Sequence, residues 1–353
     1  MKITGWKLDR ISVALKTPFI TSLRRLDAIE NIILTINSDT PFSGQGGAAP
    51  TAVITGDTFG SITAGIEHIM TAIMGMEIEN IEGIMQRIQT SMVGNSSAKA
   101  AVDMAVYDLY GKLYSAPLYR LLGGARDSLT TDITISLNEP EEMASDSVKA
   151  AEEGFSVLKI KLGKDAARDF ERIKAVRDAV GPSVSLRIDA NQGWTPKDAV
   201  GVVARMERAG INPELIEQPV AARDFEGMCY VRERIPFPLV ADESLFSPKD
   251  AIDLVKMHAA DGFNIKLMKS GGICNAMKIA AIAESAGLFC MVGSMMESHT
   301  GLTAAAHFAA SRAVVSMVDL DVPLLCAERK EHGGTEYTGS SIRLPEAAGL
   351  GLD

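Results

Sequence analysis

The hydrophobic pattern of the chain changes character near residue 125. Before it, two apolar, β-branched stretches, Trp6–Leu15 and Ala28–Ile36, read as strands separated by a loop containing Pro18. The glycine-rich segment Gly44–Pro50 reads as a flexible connection. Three segments with apolar residues at helical spacing follow: Thr58–Met74, Ile81–Met92 and the alanine-rich Ala98–Tyr114. Gly75 and the Gly123–Gly124 pair are stop signals in this region. Beyond residue 125, short apolar runs alternate with longer helical segments. The runs are Thr131–Leu137, Val157–Lys161, Val184–Ala190, Leu215–Gln218, Pro238–Asp242, Gly262–Leu267, Phe289–Ser294 and Val315–Leu320. Helical patterns such as Ala144–Glu153, Asp165–Val180, Pro196–Ala209 and Ala276–Ala286 fill the gaps. Strands alternating with helices imply a parallel sheet.

Polar residues stand at or near the ends of these runs: Thr134, Lys161, Asp189, Glu217, Asp242, Lys266, Ser294 and Asp319. They recur at intervals of roughly 24–28 residues, one βα unit per repeat. Eight such units predict an α/β fold of the (β/α)₈ TIM-barrel type, in which reactive side chains gather at the C-terminal strand ends. An open doubly wound sheet is the alternative, but it would not place a polar side chain at the end of nearly every strand.

Three consecutive strand ends carry carboxylates, Asp189, Glu217 and Asp242. Buried like charges repel unless a cation neutralises them. An all-oxygen ligand set suits Mg²⁺. Taken singly, each acid reads more readily as a helix cap or a partner for a surface lysine; three in the same strand-terminal phase read as a metal site. Lys159 and Lys161 lie two apart on one strand and so point the same way. Side by side, each ammonium disfavours the other's charge, which would make one a better base near neutral pH. Lys266 ends the sixth run, opposite the second in an eight-stranded barrel, so Lys161 and Lys266 would face each other across a substrate. Lys269 reads as a lysine reaching to solvent. Two opposed bases and a divalent cation suggest a 1,1-proton transfer. One lysine removes the α-proton of a carboxylate, the metal stabilises the ene-diolate charge, and the other lysine returns a proton to the opposite face. A glycoside hydrolase barrel would not need the opposed lysines.

Composition limits the partners. The 353 residues carry a formal net charge of −10, a poor match for the basic footprint of nucleic-acid binding or for an anionic membrane surface. Cys229, Cys274, Cys290 and Cys326 form no CxxC pair. The N-terminal MKITGWKLDR has no apolar stretch of signal-peptide length, and no uncharged apolar run is long enough for a membrane span. These features predict a soluble, cytoplasmic protein; a homo-oligomer is compatible with them. The five histidines have no metal-ligand spacing. Trp194 is expected to pack behind the third strand end and Cys290 to be buried.

The motifs LKIKLG (158–163), RIDANQGW (187–194), IEQPV (216–220), ADES (241–244) and NIKLMKSGG (264–272) resemble, in order and spacing, those of the enolase superfamily, muconate-lactonizing-enzyme subgroup. That superfamily pairs a Lys or His base with Mg²⁺. The resemblance implies an α+β capping domain over residues 1–125 and a barrel with a modified last unit over 126–325. It implies that residues 326–353 pack back on the cap. It also implies one Mg²⁺ per subunit on Asp189, Glu217 and Asp242, with Asn191 and Glu243 as supporting residues. Lys161 and Lys266 would be the acid/base pair, serving the (R)- and (S)-centres respectively, and Lys159 would help bind the substrate carboxylate. A His base on the seventh strand, the mandelate racemase pattern, is poorly matched by His299.

Asp319 and Asp321 resemble the Asp-x-Asp by which dipeptide epimerases hold a free amino terminus. N-acylamino acid racemases, o-succinylbenzoate synthases and muconate cycloisomerases have no ammonium to bind. Both acids, as strand residues two apart, are expected to face the barrel mouth. Arg24, in TSLRRL between the first two strands, matches the anchor for a glutamate side chain, though loop arginines are commonly solvated. Thr134, Ser294 and Met296 match positions lining the substrate site, and residues 50–58 resemble a second specificity loop. Gly47 stands where the family usually has a glutamate after Gly-x-Gly. The implied activity is a Mg²⁺-dependent isomerase epimerising a small dipeptide, L-Ala-L-Glu and L-Ala-D-Glu, in cell-wall peptide recycling. A hydrophobic or cationic dipeptide preference, N-acyl substrates, and a non-catalytic metal-dependent binder on a decayed scaffold remain alternatives.

Overall fold

An antiparallel sheet opens the chain, with β1 (Ile3–Ile20), β2 (Arg25–Ser38) and β3 (Ser43–Ala48) side by side. It belongs to a computed structural model that describes residues 1–328 and 331–352. Pro18 does not lie in a loop. β1 runs through it, and the register against β2 slips between Ala14 and Phe19. Such an irregularity tolerates a residue that cannot donate to the ladder. The connection shrinks to residues 21–24.

The glycine-rich segment is also a strand, not a flexible connection. A Cβ on Gly44 would lie 2.1 Å from the carbonyl oxygen of Ala105, and one on Gly46 would lie 1.9 Å from that of Ala101. The glycines therefore let β3 rest directly on the backbone of the helix Ser96–Leu113. Ala101 and Ala105, both fully buried, keep the helix side of that contact thin. The helices Phe59–Ile73 and Ile81–Thr90 pack on the same layer.

After β4 (Ser128–Thr130), eight parallel strands follow, each pairing with the next in chain order: β5 (Ile133–Ile135), β6 (Val157–Lys161), β7 (Ser185–Asp189), β8 (Leu215–Glu217), β9 (Leu239–Ala241), β10 (Gly262–Ile265), β11 (Phe289–Gly293) and β12 (Val315–Asp319). A parallel bridge between Thr131 and Val318 brings the last strand back to the first, and the Leu320 N–H donates to Thr131 Oγ1 at 2.9 Å. Each of the eight runs read beyond residue 125 contains a strand; Val157–Lys161 is matched as read and the others are trimmed at one or both ends. Several helix starts carry side-chain caps, two of them followed by proline, Thr195–Pro196 and Ser247–Pro248. The helix after β12 is only Val322–Leu325, so the last unit is reduced. The chain then returns as β13 (Glu336–Thr338) and β14 (Ser341–Arg343), with β14 pairing to β4.

His307, in the helix His299–Ser311, is fully buried, and its Nδ1 accepts the Tyr119 N–H at 3.0 Å. That bond requires the neutral ring, and burial holds the imidazole down to about 3. An unfolded histidine takes up its proton near 6.5. Between these values the unfolded state binds more protons, so this residue's contribution to stability falls as pH drops from about 6.5 toward 3. His307→Asn is expected to flatten the acid limb of stability against pH, by up to about 1.4 kcal/mol per pH unit. Parallel slopes in wild type and variant, from urea melts between pH 4 and 7, would refute this.

Candidate active site

Register assembles the site. Lys161 pairs with Asp189, and Asp189 with Glu217, across β6, β7 and β8, so these side chains share one layer inside the barrel. Asp242 follows β9, and Lys266 follows β10 in extended conformation. Asp189, Glu217 and Asp242 are fully or almost fully buried, and one carboxylate oxygen from each lies within 4.8 Å of the others. Burial and the neighbouring Asp189 push Glu217 up to about 7, the signature of crowded negative charge. Three hard oxygen donors in this crowding fit a divalent cation.

Lysines surround the acids. Lys161 Nζ donates to Asp189 Oδ2 at 2.6 Å, and Lys266 Nζ to Asp242 Oδ2 at 2.8 Å. Lys159, wholly buried, reaches three acids at once: Asp319 at 2.6 Å, Glu217 at 2.9 Å and Asp189 at 3.1 Å. Burial alone would lower Lys159, but Asp319, Glu217 and Asp189 together hold it well above the usual lysine range. The mutual lowering expected of the Lys159–Lys161 pair is thus overridden at Lys159, which is a fixed cation rather than a base. Burial alone would lower Lys266 as well, but Asp242, Glu217 and Asp189 together raise it. Asp189 is held at about 2, Lys161 and Lys159 prevailing over burial.

A cleft of about 600 Å³ opens above this layer. Its walls include Lys161 and Lys266, together with Thr134, Asn191, Asp242, Glu243, Ser294, Met296, Asp319, Asp321 and, from the cap turn, Arg24. Lys159, Asp189 and Glu217 lie beneath it. Asn191 ties the acid layer together: its N–H donates to Asp189 Oδ1 at 2.9 Å and its side-chain amide to Glu243 Oε1 at 3.3 Å. Burial and Asp242 push Glu243 up to about 8. Asp321 is not a strand residue. β12 stops at Asp319, and Asp321 starts the short helix in a helical conformation. It still reaches the cleft, where its Oδ2 accepts the Thr134 N–H at 2.6 Å.

Lys269 corrects the expectation that it reaches solvent. It is 1% exposed, its Nζ lies 2.5 Å from Asp242 Oδ1, and it also donates to the Asp242 carbonyl oxygen. The helical turn Leu267–Ser270 folds it back beneath Asp242. Three further residues escaped sequence reasoning. Asn264 donates to Glu217 Oε1 at 2.8 Å; its place two residues before Lys266 on one strand was the available signal. Gln218 accepts the N–H groups of Asp242 and Ser244, at 2.9 and 3.0 Å, and so orients the third acid. Asn31 of β2, fully buried, donates to the Met296 carbonyl at 3.0 Å and accepts the Ser298 N–H at 3.0 Å. It thereby fixes the loop that carries Ser294 and Met296. Gly47 sits beside this loop, where a Cβ would lie 2.6 Å from Ser298 Oγ. Trp194 is buried and donates to Asp169 Oδ2 at 2.8 Å, and Cys290 is buried, as expected of both.

A closed α/β barrel with a buried three-carboxylate cluster between two lysines, beneath an α+β cap, matches the metal-dependent proton-transfer enzymes of the enolase type. Comparison with known sequences agrees. Residues 7–123 match the mandelate racemase / muconate lactonizing enzyme N-terminal domain, and residues 142–353 match the enolase C-terminal domain-like family. The chain belongs to the mandelate racemase/muconate lactonizing enzyme family of the enolase superfamily. It is 48% identical to the L-Ala-D/L-Glu epimerase of Clostridium acetobutylicum, over 98% of this chain and 97% of that one. Identity is 41% to the hydrophobic dipeptide epimerase of Enterococcus faecalis, over 100% and 99%. Among solved structures, the substrate-liganded L-Ala-D/L-Glu epimerase of Bacillus subtilis superposes with a TM-score of 0.99 at 47% identity, covering 100% of this chain and 99% of that one. The Enterococcus faecalis dipeptide epimerase with Mg and L-Leu-L-Tyr gives 0.97 at 40% identity, with both chains fully covered.

Proposed function

We propose that the chain is an isomerase that epimerises the C-terminal residue of a dipeptide, interconverting L-Ala-L-Glu and L-Ala-D-Glu. The observation that carries this reading is the pair Lys161 and Lys266, from the second and sixth barrel strands, facing one cleft with the acid triad at its floor. Asp189, Glu217 and Asp242 would hold one Mg²⁺ per subunit, which when bound stabilises negative charge on the substrate carboxylate. Lys159 adds a fixed positive charge from below. Lys161 and Lys266 work on opposite faces of the α-carbon, one taking the proton and the other returning one. Asp319 and Asp321, on the cleft wall, receive the alanine ammonium. Thr134, Ser294 and Met296 shape the wall beside them, while Asn191 and Glu243 brace the ligand layer.

Arg24 supports glutamate as the second residue. It lines the cleft, and burial lowers its guanidinium with no carboxylate beside it to compensate among the described residues. An arginine so placed suits a substrate carboxylate through paired hydrogen bonds. Arg24→Ala is expected to cut kcat/KM for L-Ala-L-Glu about 10–100-fold, the worth of a charge-assisted contact, while dipeptides with an uncharged second residue change little. Equal losses on both substrates would instead support a side-chain preference set by the apolar wall of Phe19, Leu23, Val53 and Ile54.

The reading itself is tested by proton NMR in D₂O, with Mg²⁺ and a small dipeptide library. Deuterium entering the α-position of L-Ala-L-Glu, with the D-Glu diastereomer appearing, is the expected result. No exchange in any dipeptide, with Mg²⁺ bound, would turn attention to N-acyl or lactone substrates. We place the enzyme in the cytoplasm, in turnover of cell-wall peptides. Four free cysteines fit a reducing compartment, and the relatives' names supply the substrate class.

A further inference from the structure

We infer that Ser22, which does not line the cleft, is the residue that latches the side-chain-selecting turn of the cap onto the metal-ligand loop of the barrel, and so positions Arg24. The inference rests on the epimerase reading for its substrate and on geometry for the latch. The turn is a small closed unit. The Thr21 N–H donates to the Arg24 carbonyl at 3.0 Å, and Thr21 Oγ1 accepts the N–H groups of Leu23 and Arg24 at 3.2 and 3.3 Å. A unit tied this way moves as one body, so fixing any point on it fixes Arg24.

The turn is attached at two places. Its base is held where the Leu137 N–H donates to the Ile20 carbonyl at 2.9 Å and the Ile20 N–H to Ser136 Oγ at 3.3 Å; both partners lie just past β5. Its tip is held by Ser22 Oγ, which donates to the Asn191 carbonyl at 3.1 Å. The acceptor is no ordinary loop carbonyl. Asn191 has a φ of 41°, rare for a residue with a side chain, and its N–H and side-chain amide hold Asp189 and Glu243. Asn191 is thus anchored at two points to the acid layer, a rigid post for the turn. With only its base attached, the turn would pivot, and Arg24, two residues past Ser22, would swing with it. Ser22 is a positioning residue, acting on the substrate through the guanidinium.

The test is Ser22→Ala, with Ser22→Thr as the conservative variant that keeps a hydroxyl. Losing one hydrogen bond of ordinary strength corresponds to a roughly two- to tenfold change. Ser22→Ala is expected to raise KM for L-Ala-L-Glu by that factor with kcat nearly unchanged, to leave KM for a dipeptide with an uncharged second residue in place, and to be restored by Ser22→Thr. Trypsin cleavage after Arg24 and Arg25 gives a readout independent of turnover. The nick is expected to form several-fold faster in Ser22→Ala than in wild type or Ser22→Thr. Unchanged KM and an unchanged nicking rate would overturn the latch. So would a fall in kcat shared by all dipeptides, because that would place the effect of Ser22 on Asn191 and the ligand layer. If wild type itself does not turn over dipeptides, the epimerase reading fails, and the nicking rates still decide the latch.

Discussion

Lys161→Ala and Lys266→Ala should each lose epimerisation by about 10²–10⁴-fold, the usual contribution of a positioned general acid or base, while failing differently in D₂O. Inversion needs one lysine to take the proton and the other to deliver it, so removing either stops the interconversion in both directions. Isotope exchange without inversion needs only one. A lysine that abstracts a proton exchanges it with solvent and returns a deuteron to the same face. If Lys266 serves the (S)-centre, Lys161→Ala should still wash the α-proton out of L-Ala-L-Glu while forming no L-Ala-D-Glu. Lys266→Ala should show the mirror behaviour on L-Ala-D-Glu. Mg²⁺ binding should survive in both variants, because neither side chain is a candidate ligand. Epimerisation at near wild-type rate in Lys161→Ala would sink the two-base assignment. Loss of exchange on both diastereomers in both variants would mean that the lysines act as one unit. The ion pairs of the structure explain why the two lysines should be separable: Lys161 rests on Asp189 and Lys266 on Asp242, separate acids at the ends of separate strands.

The features legible in the sequence and those that were not divide along a physical line. Strand ends were legible because a barrel repeats one βα unit, so a polar residue at a constant phase of the repeat must reach the same rim. Lys161, Asp189 and Glu217 then share a layer by register alone. What the pattern could not supply was contact between distant segments. The charge of Lys159 is set largely by Asp319, 160 residues away along the chain, whereas its sequence neighbour Lys161 suggested the opposite shift. Lys269 reaches Asp242 only because the turn after β10 folds back, a geometry that spacing from a strand end does not encode. Glycines 44 and 46 carry no local signal separating a loop from a strand under a helix; the helix backbone decides. The hold of Asn31 on the loop before Ser298 spans 265 residues between cap and barrel, and no periodicity reports it.

Glu217→Gln should separate metal affinity from metal-free stability. Glu217 is the middle acid of the triad, wholly buried, with Lys159 on one side and Asn264 on the other. The amide keeps the shape but replaces one anionic ligand oxygen with a neutral donor group facing a cation. Disturbing a group that merely supports a metal ligand costs about 10–100-fold in affinity, so changing a ligand should cost at least that much. At a Mg²⁺ concentration 100 times the wild-type Kd, binding stabilises the fold by about 2.7 kcal/mol; most of that shift should vanish in Glu217→Gln, together with epimerase activity. The metal-free variant, by contrast, need not be less stable than metal-free wild type. The substitution relieves repulsion from Asp189, which with burial drives Glu217 up to about 7, although it also removes a partner of Lys159. Calorimetric Mg²⁺ titration and thermal melts with and without Mg²⁺ therefore read the same residue in opposite ways: affinity falls steeply while metal-free stability holds. Wild-type Mg²⁺ affinity in Glu217→Gln would remove Glu217 from the ligand set. A collapse of metal-free stability would show that its buried contacts with Lys159 and Asn264, rather than a cation, are the reason a carboxylate stands there.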